Sequence, residues 1–326
     1  MQKSDSITSC ITEFRKEHNT KTVQALAKVL SENSLELSRA LYDETLWFNV
    51  EFERNSFFAL VPPEIKRLNE KIKSNYPTLG SICKVGKGME TAANSVFLFD
   101  EEPDFPQQYI KRRLTGEMVN RYVIGNPSQY LLYYEGVDNF EDLDESIKKH
   151  LMANREYLES RATVKNEGRA WWKYSRPMHK EYYDYDKIWC SYRSSHNVYG
   201  LDTTKNYIGF TNTTVVFGNN PEVDIKYILA LLNSKLLEYF HKNHAKMTGG
   251  GIYEYFPNTV DRYPIPLLSK QEQQKYISLV DAIISLKVSD PEANVEKYQN
   301  ELDELVFNLY GISEEEKKII ERKNIG

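Results

Sequence analysis

Cysteine is nearly absent: Cys10, Cys83 and Cys190 are the only three in 326 residues, and they stand far apart. Their spacing matches no zinc site and no disulfide framework, so reduced thiols and a cytoplasmic location are expected. No run approaches the roughly 18 apolar residues of a membrane span. Met1-Gln2-Lys3-Ser4-Asp5 lacks the basic and apolar regions of a signal peptide, so no membrane partner is expected. No G-x-G-x-x-G string joins a strand to a helix, which argues against a dinucleotide fold. The nearest thing to a phosphate loop is Gly86-Lys87-Gly88, but Gly88 stands where a P-loop needs Ser or Thr. The Val96-Phe97-Leu98-Phe99 run that follows reads as a strand, not as a phosphate-facing helix. Positive charge is not in excess either: 42 Lys and Arg against 47 Asp and Glu leave a net charge of −5, which weighs against a generic nucleic-acid coat.

What is present is uneven. Between Lys148 and Arg193 eleven Lys and Arg face six Asp and Glu, whereas Glu135 to Glu145 holds six acids and no base. A basic middle between acidic flanks suits a face that meets an anion, and equally an ordinary solvated surface. The 23 tyrosines supply flat apolar faces with polar tips, suited to wet binding surfaces.

Apolar spacing divides the chain into three. Ile7, Ile11 and Phe14, then Val23, Leu26, Ala27 and Leu30, predict helix near the start, and Pro63 is placed to open another that ends by Tyr76-Pro77. From 79 to about 266 short β-like runs are expected at 81–85, 95–99, 129–134, 187–193, 207–210 and 213–217. Helices at about 143–161 and 224–242 interrupt them. Tyr276, Val280 and Ile283, then Val295, Tyr298, Leu302, Leu305 and Leu309, predict a closing helical pair. The expected fold is mixed α/β (α+β). An N-terminal helical segment at 1–75 leads to a β-rich domain at 76–267 and a C-terminal helical hairpin at 268–326.

Gly88-Met89-Glu90-Thr91-Ala92-Ala93-Asn94-Ser95-Val96-Phe97 follows the pattern G-x-x-T-G-x-N-x-x-F. After it come Tyr109 to Gly116, Tyr157-Leu158-Glu159-Ser160-Arg161, Trp171-Trp172, Lys187-Ile188-Trp189-Cys190, Leu231-Leu232-Asn233-Ser234-Lys235, Gly249-Gly250-Gly251 and Tyr263-Pro264-Ile265-Pro266, with Glu301 to Gly311 at the end. In that order they resemble the target recognition domains of type IIG restriction–modification enzymes. These are the TaqI-like C-terminal specificity domains, related to type I specificity subunits. The resemblance spans roughly Thr45 to Ile320. One departure is Ala92, where the family has glycine; alanine resists positive φ. The methyltransferase N-P-P-[YF] motif has no counterpart, since Asn126-Pro127-Ser128 lacks the second proline and follows no S-adenosylmethionine loop.

The resemblance implies a specificity module without catalysis of its own. It would bind duplex DNA and place an adenine methyltransferase or restriction module, in cis or in trans. S-adenosylmethionine and Mg²⁺ are expected only in that partner module, and no cofactor in this chain. Reading DNA takes cations on phosphates and polar side chains on base edges. Candidate phosphate contacts are Lys87, Lys111, Arg112, Arg113, Arg121, Lys173 and Lys246. Candidate contacts of other kinds are Thr91, Asn94, Trp172, Tyr174, Arg193, Ser194, Thr248, Gly249 and Gly250. Each has a plainer role open to it, as a solvated cation, a turn cap or a core aromatic. Two other functions compete. One is a protein-interaction module docking through the C-terminal helices. The other is a metal-dependent nuclease built on Asp184, Asp186 and the Asp224-Ile225-Lys226 string, although Asp224 suits a helix start and His241 and His244 suit a partly exposed helix end.

Overall fold

The computed structural model describes residues 10–15, 24–29, 48–51, 63–73, 76–177, 185–218 and 220–324. Near the start, β1 (Cys10–Arg15), β2 (Gln24–Val29) and β3 (Phe48–Glu51) pair antiparallel in that order. Helix was expected over the first two. Runs of six residues are too short for period to decide, and pairing such as Ile11 with Lys28 and Phe14 with Ala25 takes them into a sheet. Ile7, Val23 and Leu30 lie outside the described residues. Helix α1 (Pro63–Lys73) does open on Pro63, whose missing N–H costs nothing in a first turn.

The middle of the chain begins with α2 (Leu79–Ile82) and β4 (Cys83–Lys87), followed by α3 (Asn94–Phe97), β5 (Leu98–Phe99), β6 (Ile110–Leu114) and β7 (Tyr130–Leu132). The strand expected at 95–99 is thus mostly one helical turn. The helix expected at 143–161 is three short ones: α4 (Glu145–Ala153), α5 (Arg155–Glu159) and α6 (Ala162–Glu167). It breaks at Asn154, whose Nδ2 donates to His150 O at 2.9 Å, and again at Arg161, which is extended at φ −62° and ψ 142°. Next come β8 (Lys187–Ser191), β9 (Arg193–Ser194), β10 (Tyr199–Asp202), β11 (Tyr207–Gly209) and β12 (Thr213–Gly218).

One sheet of order β10-β8-β12-β4, antiparallel throughout, separates two cores. Alternate side chains point to opposite faces of a strand. Ile188, Cys190 and Val216 therefore enter one core, while Trp189, Val215 and Phe217 enter the other. The first core is completed by α7 (Ile225–Leu232), α8 (Lys235–His244) and the C-terminal helices. The second is completed by the sheet β11-β6-β7-β5 with α4 and α5. Burial of each such side chain contributes about 1.5–3 kcal/mol. The central strands also carry a wholly buried ion pair, Lys187 Nζ to Asp202 at 3.4 Å. Burial lowers the Lys187 pKa and Asp202 opposes the shift. The carboxylate also accepts from Trp189 Nε1 at 3.2 Å and from Thr204 N at 2.9 Å.

Past α8 the chain forms β13 (Met247–Gly249), β14 (Ile252–Glu254) and α9 (Pro257–Val260), and β13-β14-β9 is a small antiparallel sheet. Then come α10 (Lys270–Ser289), which opens on a Ser269/Glu272 capping box, α11 (Glu296–Leu309) and α12 (Glu314–Asn324). Of the predicted apolar stripes, Tyr276, Val280, Ile283 and Leu302 are buried in the first core, and Val295, Tyr298, Leu305 and Leu309 pack partly buried against it. Buried Asp303 ties α11 down by accepting from Lys235 N at 2.8 Å, and burial raises its pKa.

His241 departs from expectation. It is fully buried, stacked on Tyr255 at 3.8 Å, with Nδ1 2.7 Å from Tyr263 Oη; His244 stays exposed. Burial, with neighbouring His244 and Lys242, lowers the His241 pKa from 6.5 to about 3. Between those values the unfolded chain binds a proton that the folded chain excludes, so stability is full above pH 6.5 and falls as pH drops toward 3. The loss amounts to roughly 5 kcal/mol at one pKa unit per 1.36 kcal/mol. Denaturant titrations across that pH range should show the decline, and His241→Phe should flatten it; an unchanged slope in the variant would assign the decline elsewhere.

Candidate nucleic-acid interface

Antiparallel pairing brings three chain segments to one end of the central sheet. Lys87 at the end of β4 is opposite Thr214, and Ser191 at the end of β8 is opposite Thr213 at the start of β12. The segments that leave or enter at this end are 88–94, 192–194 (running into β9) and 210–212. Met89 N donates to Gly209 O at 2.8 Å and Tyr192 N to Asn212 O at 2.8 Å, so the three are laced together. Gly88 is required here, because a Cβ would lie 2.0 Å from Phe210 O.

The 88–94 loop is polar on its outer side. Lys87, Glu90, Thr91, Ala92, Ala93, Asn94, Phe210 and Thr211 line a pocket of about 540 Å³. Thr91 is wholly buried; its hydroxyl donates to Asn94 Oδ1 at 2.6 Å and accepts from Ala93 N at 3.1 Å. Asn94 is exposed, and this contact fixes its amide with Nδ2 unused by Thr91. Ala92 sits at φ 51°, the left-handed conformation that the sequence made doubtful for alanine. Arg113 lies over the Phe210 ring at 5.0 Å and donates to Gln129 Oε1, while Lys87 lies over Tyr192 at 5.3 Å.

The small sheet adjoins this surface through Tyr192. In β9, Arg193 pairs with Glu254 and Ser194 with Tyr253, and buried Glu254 holds Arg193 at 3.2 Å and Lys246 at 3.8 Å. Both cations remain largely exposed, as do Met247, Thr248, Gly249, Gly250 and Gly251. The turn takes φ of 118°, 57° and 71° at its three glycines, and a Cβ at any of them would meet nothing within 4 Å. Backbone conformation, not crowding, requires glycine here.

Ten predicted residues thus gather on neighbouring segments: Lys87, Thr91, Asn94, Arg113, Arg193, Ser194, Lys246, Thr248, Gly249 and Gly250. Other candidates are placed differently. Tyr174 is wholly buried, its hydroxyl donating to Leu132 O at 2.9 Å and accepting from Tyr134 N at 2.9 Å. Trp172 is buried and stacks on Tyr134, and Lys173 donates to Val137 O. The two rings serve the second core, because a large ring gains more inside than in water, and Lys173 lies over Trp172. Arg121 donates to Asn233 O, tying the body to the start of α8. Arg112 lies over Tyr130 at 4.0 Å and donates to Pro127 O, holding the 126–129 turn. Lys111 is half-buried, which lowers its pKa.

Phe210, Thr211, Asn212 and Tyr192 were not anticipated. The polar break between the expected strands at 207–210 and 213–217 was the available signal. The nuclease string is a helix cap: Asp224 accepts from Lys226 N at 2.7 Å, and Lys226 Nζ reaches Asp281 at 2.6 Å. Asp184 lies outside the described residues. Among the described residues no group of three or more His, Cys, Asp or Glu could hold a metal ion, and no helix is long and apolar enough to cross a membrane.

Residues 111–265 match the family model of the TaqI-like C-terminal specificity domain. This is the family whose motifs the sequence resembles, and the matched segment runs from β6 to β14; the 88–94 loop precedes it. In fold, 82% of the chain is similar to the Type IIL restriction-modification enzyme MmeI, solved in complex with DNA, at 15% identity and a TM-score of 0.54. The HsdS subunit from Thermoanaerobacter tengcongensis aligns over 77% of the chain at 10% identity, with a TM-score of 0.33. The chain spans only 37% of the first structure and 51% of the second. No curated protein matches the sequence.

The glycine turn of the matched segment offers a direct check. Gly249→Ala, at φ 118°, should destabilise the hairpin more than Gly250→Ala at φ 57°, by about 1–2 kcal/mol. Amide hydrogen exchange at Tyr253 and Glu254 should quicken in that order, and equal rates in both variants would refute the turn geometry.

Proposed function

We propose that this chain recognises a specific sequence in duplex DNA, as the target recognition part of a restriction–modification system. The observation that carries the reading is the convergence of three sheet-end loops and the glycine hairpin on one polar, cation-bearing surface, in a chain that matches a specificity family. Lys87, Arg193 and Lys246 are exposed enough to neutralise phosphates, and Arg113 borders them. Asn94, locked by Thr91, has an amide suited to the bidentate pattern of adenine N6 and N7 in the major groove. Ser194, Thr211 and Thr248 add hydroxyls able to donate or accept. Chemistry belongs to a separate adenine methyltransferase or endonuclease module in this reading. That module would hold S-adenosylmethionine and Mg²⁺ and flip the target base. The chain contributes register and discrimination.

Selection from random duplexes at two salt concentrations tests this. One short motif should be enriched, and log affinity should fall with log salt at a slope of about −3, as expected for three or four neutralised phosphates. Lys87→Gln should reduce that slope by about one without changing the motif. Asn94→Ala should relax a single position by roughly 1–3 kcal/mol. Absence of an enriched motif, or affinity indifferent to salt, would overturn the reading.

A further inference from the structure

Arg161 stands at the N-cap of α6, one residue past the Ser160 that closes α5, and it is buried. All its hydrogen bonds go to main-chain carbonyls. Nε donates to Leu158 O at 3.0 Å, Nη1 to Thr91 O at 2.8 Å, and Nη2 to Lys173 O at 2.9 Å and to Trp171 O. Burial lowers its pKa. A buried cation is costly to keep, and four carbonyl dipoles offset that cost only while all three chain segments stay in place. One of those carbonyls, Thr91 O, belongs to the peptide that leads into Ala92, the residue held at φ 51°. The segment gripped by Nη2 also runs on to Arg176, whose backbone exchanges two 2.8 Å hydrogen bonds with Glu90. Arg161 therefore fixes the peptide plane between the buried anchor Thr91 and the reader Asn94, and it braces the segment that holds Glu90.

We infer that Arg161 is the positioning residue of the 88–94 loop: without touching DNA, it sets the orientation from which Asn94 meets a base. This rests on the proposed DNA reading for its consequence, and on geometry alone for its effect on the loop. Lysine retains the charge but has no planar fork, so it cannot serve four carbonyls in three directions.

The test compares the full chain with Arg161→Lys and with the double variant Arg161→Lys/Ala92→Gly. Amide exchange in the free protein should quicken at least tenfold at Ala93 and Asn94 in Arg161→Lys, while amides of β8 and β12 keep their rates. With the selected duplex, discrimination at the base position that Asn94→Ala relaxes should fall about tenfold, with the salt slope and non-specific affinity unchanged. Glycine adopts positive φ without the Cβ penalty, so Ala92→Gly should restore discrimination several-fold. Unchanged exchange at 93–94, or discrimination kept by Arg161→Lys, overturns the inference. So does a uniform rise in exchange across the sheet, which would mark Arg161 as merely structural. A wild-type chain without sequence preference would remove the DNA reading, and the exchange rates would still decide whether Arg161 holds the loop.

Discussion

The structure depends on one sheet being buried on both faces. Strands β8 and β12 cannot slide by a single residue without exchanging their two cores, because Trp189 and Val215 would trade places with Ile188 and Val216. The register is therefore strongly specified, and with it the ends of the strands. Lys87, Ser191 and Thr213 are neighbours for this reason, and the loops beyond them inherit a rigid base. The proposed reading of base edges needs such a base, since donors and acceptors must hold their positions to within a fraction of an ångström.

Charge is sorted by depth in a consistent way. Three buried charges have dense partners: Lys187 with Asp202, Arg161 with four carbonyls, and Glu254 with two cations. Losing one partner of such a set leaves an uncompensated charge inside, so these groups hold chain segments together. Lys87, Arg193 and Lys246 are exposed on this surface, the last two also paired with Glu254. The net charge of −5 obscures this arrangement, because acids elsewhere outnumber the cations on this surface.

Much of the site was legible in the sequence, and what was not has a physical reason. Gly86 to Asn94 and the Gly249-Gly250-Gly251 turn stood out because glycine and short polar residues mark backbone that local propensity cannot explain. The Leu231-Leu232-Asn233 string is explained by burial of Asn233, which exchanges hydrogen bonds with Tyr199 N and O at 3.1 and 2.8 Å. Closeness between 210–212 and 88–94 was hidden, because it arises from pairing across more than a hundred residues. Long amphipathic side chains misled in another way. Arg121, Lys173 and Arg112 look like surface cations in a string, but their stems lie along the body and their heads cap carbonyls. Arg161 reads as an ordinary helix end until its four partners are seen together.

The most direct measurement is photo-cross-linking to the selected duplex, with one photoreactive group attached in turn at positions 94, 211, 248 and 288. The first three lie on the sheet-end surface and the hairpin, whereas Val288 is 71% exposed on α10, in the C-terminal helical pair. The account predicts cross-links from 94, 211 and 248 and none from 288. Cross-links from 288 alone would place DNA on the C-terminal helices and contradict it.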